Sequence, residues 1–251
     1  MRITYVGHST VLIELDGLRL LTDPVLRRRV AHILRSAPPV RRDDVAAVDA
    51  VLLSHMHPDH FDPASLRMIG GRAQLILPRG TGRAAAKLPF PHMTELGVGE
   101  RAQIQGVEVT ATEAAHRRGR LLDRRSEAIG FTVAGTQRVY FAGDTDLFPK
   151  MRELRGGIDV ALVPISGWGP TLGPGHMDPQ RAAAALALIE PRVAVPIHWG
   201  TLHRIGLRGS HRAMIRDAPK AFALAAAKRA PSVEVRILQP GEATVVSPAG
   251  G

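Results

Sequence analysis

The feature that most constrains this chain is the run His55-Met56-His57-Pro58-Asp59-His60, which directly follows the apolar stretch Asp49–Ser54. Three imidazoles and a carboxylate within six residues, at the end of a buried strand, need partners. Desolvating them uncompensated is costly, and a divalent ion supplies the compensation. In extended backbone His55 and His57 point to the same side, so both rings can reach one ion. Pro58 then turns the chain and can direct Asp59 and His60 toward a second. The competing reading, a solvated loop that happens to be rich in histidine, carries less weight.

Two ions need more donors than these four. His116 follows the strand Val107–Thr112, Asp144 follows the strand Val139–Ala142 with Gly143 allowing a tight turn, and His198 ends the strand Val193–Ile197. Each stands at the C-terminal end of a strand, where layered α/β folds gather their sites. Taken singly, each reads more simply as a hydrogen-bonded turn or core residue; after the six-residue run they complete a set. The chain has no cysteine, so disulfides and thiolate ligands are excluded and any metal rests on His and carboxylate.

Most of the chain reads as short strands separated by Gly, Pro and Asp. Arg2–Val6, Val11–Leu15 and Leu18–Thr22 resemble an antiparallel meander with a turn at Asp16-Gly17. Further strands are expected at Ala73–Leu77, Ala128–Val133, Val160–Pro164 and Val233–Leu238. A helix from Pro63 to Ile69 has Asp62 as its N-cap, and a second spans Asp178–Ile189. A third is expected from Pro219 to about Arg229. Leu26–Arg42, with six arginines and Pro38-Pro39, reads as an irregular connection or a lid. Strands outnumber helices, which suggests stacked sheets covered by helices in one domain over residues 1–251.

The 251 residues are 45% hydrophobic, enough for a substantial core. The N-terminus lacks the pattern of a signal peptide, and no apolar run approaches the ~20 residues of a membrane helix. A cytoplasmic protein without membrane insertion is expected. The net charge of +10 rests on 29 Arg and 4 Lys. Codon bias and attraction of a small anionic substrate explain it about equally well. The aromatic content of 4% leaves few platforms for stacking bases, which counts against a nucleic-acid partner.

The string Ser54-His55-Met56-His57-Pro58-Asp59-His60, followed by His116, Gly143-Asp144 and His198, resembles the metallo-β-lactamase superfamily over nearly the whole chain. The resemblance implies an α/β fold, the αββα four-layer sandwich. It also implies that His55, His57 and His116 hold one metal ion, that Asp59, His60 and His198 hold another, and that Asp144 bridges them. Tyr5-Val6-Gly7-His8-Ser9-Thr10, Leu21-Thr22-Asp23-Pro24-Val25, Gly175-His176-Met177-Asp178-Pro179 and Ile197-His198-Trp199-Gly200-Thr201 are similar to one branch. That branch contains N-acyl-phosphatidylethanolamine-hydrolysing phospholipase D and, more distantly, ascorbate-6-phosphate lactonase. No long N-terminal extension or large apolar insertion is evident, which argues against a long-chain lipid substrate. The missing Cys sets the chain apart from lactamase sites with a Cys ligand, so antibiotic hydrolysis is not expected.

These features lead to a dinuclear metal-dependent hydrolase, first of all a phosphodiesterase using a metal-bridging hydroxide on an anionic substrate. Asp59 is expected to be both ligand and catalytic guide for that hydroxide. The two divalent ions are expected to be zinc, with Mn, Fe or Ni suited to similar N/O donors. His176, between Gly173-Pro174-Gly175 and the helix after it, is expected to touch the substrate or assist the leaving group; a turn-stabilising His is the simpler alternative. His8, Arg117 and Arg118 are substrate-binding candidates, the arginines because they follow His116 and can clamp a phosphate. His32, His92, His203 and His211 read as surface or loop residues. A lactonase of a phosphorylated sugar lactone is the first alternative. A basic nucleic-acid-binding protein with structural metals is the second, and it predicts salt-sensitive binding that survives His57→Ala.

Overall fold

The computed structural model describes residues 1–116, 127–169, 171–206 and 209–248, without the side chains of 210–212 and 214. Arg117 and Arg118 lie outside the described residues. The chain begins with β1 (Arg2–Gly7), β2 (Thr10–Leu15) and β3 (Leu18–Thr22). A small hairpin, β4 (Arg29–Val30) and β5 (Ile33–Arg35), precedes β6 (Ala50–Leu52), α1 (Pro63–Ile69), β7 (Gln74–Pro78), α2 (Gly82–Ala85) and β8 (His92–Leu96). The second half runs β9 (Arg101–Ile104), β10 (Val107–Glu113), β11 (Ile129–Ala134), β12 (Arg138–Phe141), β13 (Val160–Pro164) and α3 (Pro179–Ile189). It ends with β14 (Val193–Ile197), β15 (Leu202–Arg204), α4 (Gly209–Arg229), β16 (Glu234–Val235) and β17 (Glu242–Val245).

Two seven-stranded sheets result, in the orders β17-β1-β2-β3-β6-β7-β8 and β16-β14-β13-β12-β11-β10-β9. The expected meander is present, with Asp16 and Gly17 both at positive φ (53° and 83°) in the two-residue turn that such a hairpin favours. The period-2 rule of a strand explains the layering. Val11, Ile13, Ala50, Leu52 and Ile76 turn inward to a core shared with Val109, Phe131, Val133 and Phe141 of the second sheet. Leu12, Val51, Leu53, Leu75 and Leu77 turn outward to a separate cluster that includes Leu66 of α1 and Ala85 of α2. On the far side α3 and α4 cover the second sheet with Ala182, Leu186, Ile189 and Phe222. The order helix, sheet, sheet, helix is the expected αββα sandwich.

Four expectations change. Leu26–Arg42 is not wholly irregular: β5 pairs with both β4 and β15 in a third sheet around Val25, Val30, Ile33 and Leu202. These strands have two or three residues and few buried positions, too short to show alternation. The last long helix begins ten residues before Pro219, which lies inside it; proline signals a helix start without excluding an interior place. Only Glu234–Val235 of the expected Val233–Leu238 strand pairs. His203, expected on the surface or in a loop, is buried on β15. Among the described residues no helix is long and apolar enough to cross a membrane.

The helix after the His-rich run is anchored by Asp62. Its carboxylate accepts Ser65 N–H at 3.1 Å and Ser65 Oγ–H at 2.5 Å as the N-cap of α1. Both Arg27 Nε and Nη2 also donate to it, at 2.8 and 2.6 Å, while Leu26 N–H donates to Ser65 Oγ at 2.9 Å. Burial works against ionisation of Asp62, but Arg27 and Ser65 outweigh it and hold the carboxyl below its usual range. Asp62→Ala is expected to cost about 2 kcal/mol in urea unfolding at neutral pH, from a lost cap and a lost bidentate pair. Because the folded-state value is lowered, this contribution is complete above the unfolded value of about 3.9 and fades below it. The gap between variant and wild type should therefore narrow as the pH falls toward 3.

Candidate metal centre

The centre is built at the C-terminal ends of strands from both main sheets. Asp23 follows β3, the run 54–60 follows β6, His116 follows β10, Asp144 follows β12 and His198 follows β14. Gly143 takes φ 61°, and a Cβ there would lie 2.8 Å from Ser54 Cβ, so only glycine lets Asp144 come this close to the run. The sheets are tied at this level by Ile129 N–H to Ser54 O (3.0 Å) and His198 N–H to His8 O (2.8 Å). His8 and His198 both adopt left-handed backbone, φ 57° and 62°. Such strain in non-glycine residues persists only where surrounding contacts impose it.

Two donor groups converge. His57 Nδ1 lies 3.0 Å from His55 Nε2 and 3.2 Å from His116 Nε2. His60 Nε2 lies 3.3 Å from His198 Nε2, with Asp59 Oδ2 at 3.5 and 3.6 Å from the two. Asp144 stands between the groups: its Oδ2 is 3.2 Å from His60 Nε2 and 3.9 Å from His55 Nε2, and its Oδ1 is 3.2 Å from His198 Nε2. The seven residues expected as ligands are thus brought together.

The outer nitrogens decide what the inner ones can do. His116 Nδ1 must donate to Gly175 O (2.8 Å) and His198 Nδ1 to Ser166 O (2.7 Å), since a carbonyl only accepts. His60 Nδ1 donates to Asp23 Oδ2 at 2.7 Å. Ser54 Oγ–H also donates to Asp23 Oδ2, at 2.5 Å, so Ser54 Oγ accepts from His55 Nδ1 at 3.0 Å. In neutral rings the Nε2 atoms of His55, His60, His116 and His198 therefore all present lone pairs inward, toward His57 Nδ1, Asp59 and Asp144. Asp144 Oδ1, 3.2 Å from a lone pair on His198, is accordingly buried without a hydrogen-bond partner among the described residues. Such a donor set fits divalent cations.

The electrostatics call for positive charge among these groups, which protons on His60 and His198 supply when no cation is bound. Burial pushes His55 and His57 below the ordinary imidazole value, takes His116 down to about 4 and takes His8 down to about 3. Burial acts the same way on His60 and His198, yet carboxylates, Asp144 foremost, hold His60 well above its ordinary value and raise His198 to about 9. Asp59 and Asp144 remain well below the usual carboxylate range despite burial, because His60 and His198 surround them.

Residues 18–199 match the family model described as a β-lactamase superfamily domain. The chain belongs to the metallo-β-lactamase superfamily. A protein of Methanopyrus kandleri named as a metal-dependent hydrolase is 31% identical over 257 residues, which take in 96% of this chain and 98% of that one. An uncharacterized protein of Mycobacterium tuberculosis is 33% identical over 219 residues, 80% of this chain; the match spans 59% of that relative's length. N-acyl-phosphatidylethanolamine-hydrolyzing phospholipase D 1 of Caenorhabditis elegans is 28% identical over 229 residues, covering 79% of this chain and 63% of its own. Igni18, a metallo hydrolase of Ignicoccus hospitalis, superposes with a TM-score of 0.73 over 97% of both chains at 24% identity, which shows the shared fold.

Within this metallo-β-lactamase frame the remaining candidates take distinct places. His176 is partly exposed, with Nδ1–H on Gly173 O (3.0 Å) and Nε2 at 3.2 Å from Asp144 Oδ2. His8 lies buried under the second donor group, its Nε2–H on Asp59 Oδ2 at 3.0 Å. Sequence reasoning assigned no role to Asp23, Ser54 or Trp168. Asp23 and Ser54 fell inside recognisable motifs, but only the fold shows that Asp23 reaches across to both donor groups. Trp168, whose Nε1–H donates to Asp59 Oδ2 at 2.8 Å, has no local signal beyond its glycine-flanked setting.

Because Asp23 fixes His60 directly and His55 through Ser54, Asp23→Ala is expected to weaken zinc uptake at both donor groups, each by roughly 10–100-fold. Competition with a chromophoric chelator checks this. Loss at neither group would show that Asp23 does not support the centre.

Proposed function

We propose that this chain is a dinuclear metal-dependent hydrolase acting as a phosphodiesterase on an anionic substrate. The observation that carries this reading is the pair of inward-facing donor groups, His55-His57-His116 and Asp59-His60-His198, with Asp144 between them. The donors are nitrogen and oxygen only, a set that suits zinc and also accepts Mn, Fe or Ni. Two ions held here would supply Lewis-acid chemistry, lowering the pKa of water and drawing charge from the scissile group.

The chain's own residues do the remaining work. Asp59, held in one orientation by its hydrogen bonds, presents a fixed carboxylate to the reacting groups and orients the attacking water by accepting its proton in a hydrogen bond. His176, at the open side of the centre and 21% exposed, is placed to contact the substrate or to hand a proton to the leaving oxygen. The buried walls around Asp59 and Asp144 exclude bulk water and strengthen every charge interaction within. The choice of a phosphodiester is supported by the named phospholipase D among the relatives and by the +10 charge, which attracts anions.

Zinc-loaded protein is expected to hydrolyse bis(p-nitrophenyl) phosphate, to lose that activity on chelation and to regain it on adding zinc back. His57→Ala should abolish turnover and lower the bound metal measured by elemental analysis. Activity confined to a phosphorylated sugar lactone would replace phosphodiester by lactone as the substrate class. Full activity of the chelated protein would overturn the metal-dependent reading.

A further inference from the structure

Asp59 carries more than one donor on a single oxygen. Trp168 Nε1–H and His8 Nε2–H both reach Asp59 Oδ2, at 2.8 and 3.0 Å. A carboxylate can rotate about its last bond, and two donors on one oxygen remove that freedom. An indole N–H suits this role because it only donates and does not titrate, so it orients the carboxylate at any working pH.

What holds the indole is the third sheet. Trp168 packs on the cluster Val25, Val30, Ile33 and Leu202, which β4, β5, β15 and the segment before them create. The edge of His32, in the β4–β5 turn, meets the indole with ring centroids 5.3 Å apart. Arg204 N–H on β15 donates to Trp168 O at 3.0 Å. The small sheet thus grips both the ring and the backbone of Trp168, and the free end of the indole ends on Asp59. No corresponding link from this sheet to His55, His57 or His116 occurs among the described residues.

We propose that Trp168 is a positioning residue for the second donor group, through which the β4–β5–β15 sheet sets how tightly Asp59, His60 and His198 hold their ion. This rests on the dinuclear reading above. It makes the two ions unequal: one depends on residues of the main sheets, the other also on the docking of a small, arginine-rich hairpin. Outer hydrogen bonds to metal-binding side chains commonly govern affinity by 10–100-fold.

The test is a Zn2+ titration of the full chain in competition with a chromophoric chelator, with melting temperature and far-UV circular dichroism recorded before zinc is added. Wild type should take up two ions. Trp168→Phe, which keeps the ring and removes the N–H, should hold one ion as tightly as wild type and the other roughly 10–100-fold more weakly, with its circular dichroism unchanged. Ile33→Ala, remote from the donors, should weaken the same ion several-fold through the packing under the indole. Two ions bound by Trp168→Phe with wild-type affinities would overturn the inference alone. Equal weakening of both ions would also overturn it, since that is general loosening. A wild type that takes up fewer than two ions would overturn the dinuclear reading and this inference with it.

Discussion

Everything at this centre depends on where the imidazole protons go. Gly175 O, Ser166 O, Ser54 Oγ and Asp23 each take an Nδ1–H from outside, which leaves Nε2 of His116, His198, His55 and His60 as inward lone pairs. A histidine-rich loop without these outer acceptors would form ordinary hydrogen bonds among its own rings. Here the rings turn their lone pairs inward toward Asp59 and Asp144, an arrangement that suits cations.

The fold supplies the acceptors by bringing the ends of two sheets together. Asp23 comes from the first sheet and serves both donor groups, while Ser166 and Gly175 come from the long connection after β13. The left-handed conformations of His8 and His198, joined by a backbone hydrogen bond, are the strained points of this junction. That strain is offset by the buried contacts around it, such as His8 N–H on Thr201 Oγ1 at 2.8 Å and Tyr5 OH on Trp199 O at 2.8 Å.

Much of the framework was legible because it follows short-range rules. Asp16-Gly17 marks a hairpin, Asp62-Pro63 and Asp178-Pro179 mark helix starts, and runs such as Val160–Pro164 and Val193–Ile197 can only be buried strands. That the seven expected donor residues would gather in one place was legible because each follows a strand within a few residues. The third sheet was not, since two- and three-residue strands leave no alternation to detect. Asp23, Ser54 and Trp168 were not, because their importance lies in which distant atoms they meet. The segment expected to be an irregular connection or a lid instead forms part of the small sheet on which Trp168 packs.

Crystals of zinc-loaded protein, measured by anomalous diffraction at the zinc edge, test the central claim most directly. Two anomalous peaks are expected. One should lie about 2.0–2.1 Å from His57 Nδ1 and from Nε2 of His55 and His116, the other at that distance from Nε2 of His60 and His198. A single peak, no peak, or zinc on the Nδ1 side of His60 or His198 would contradict it.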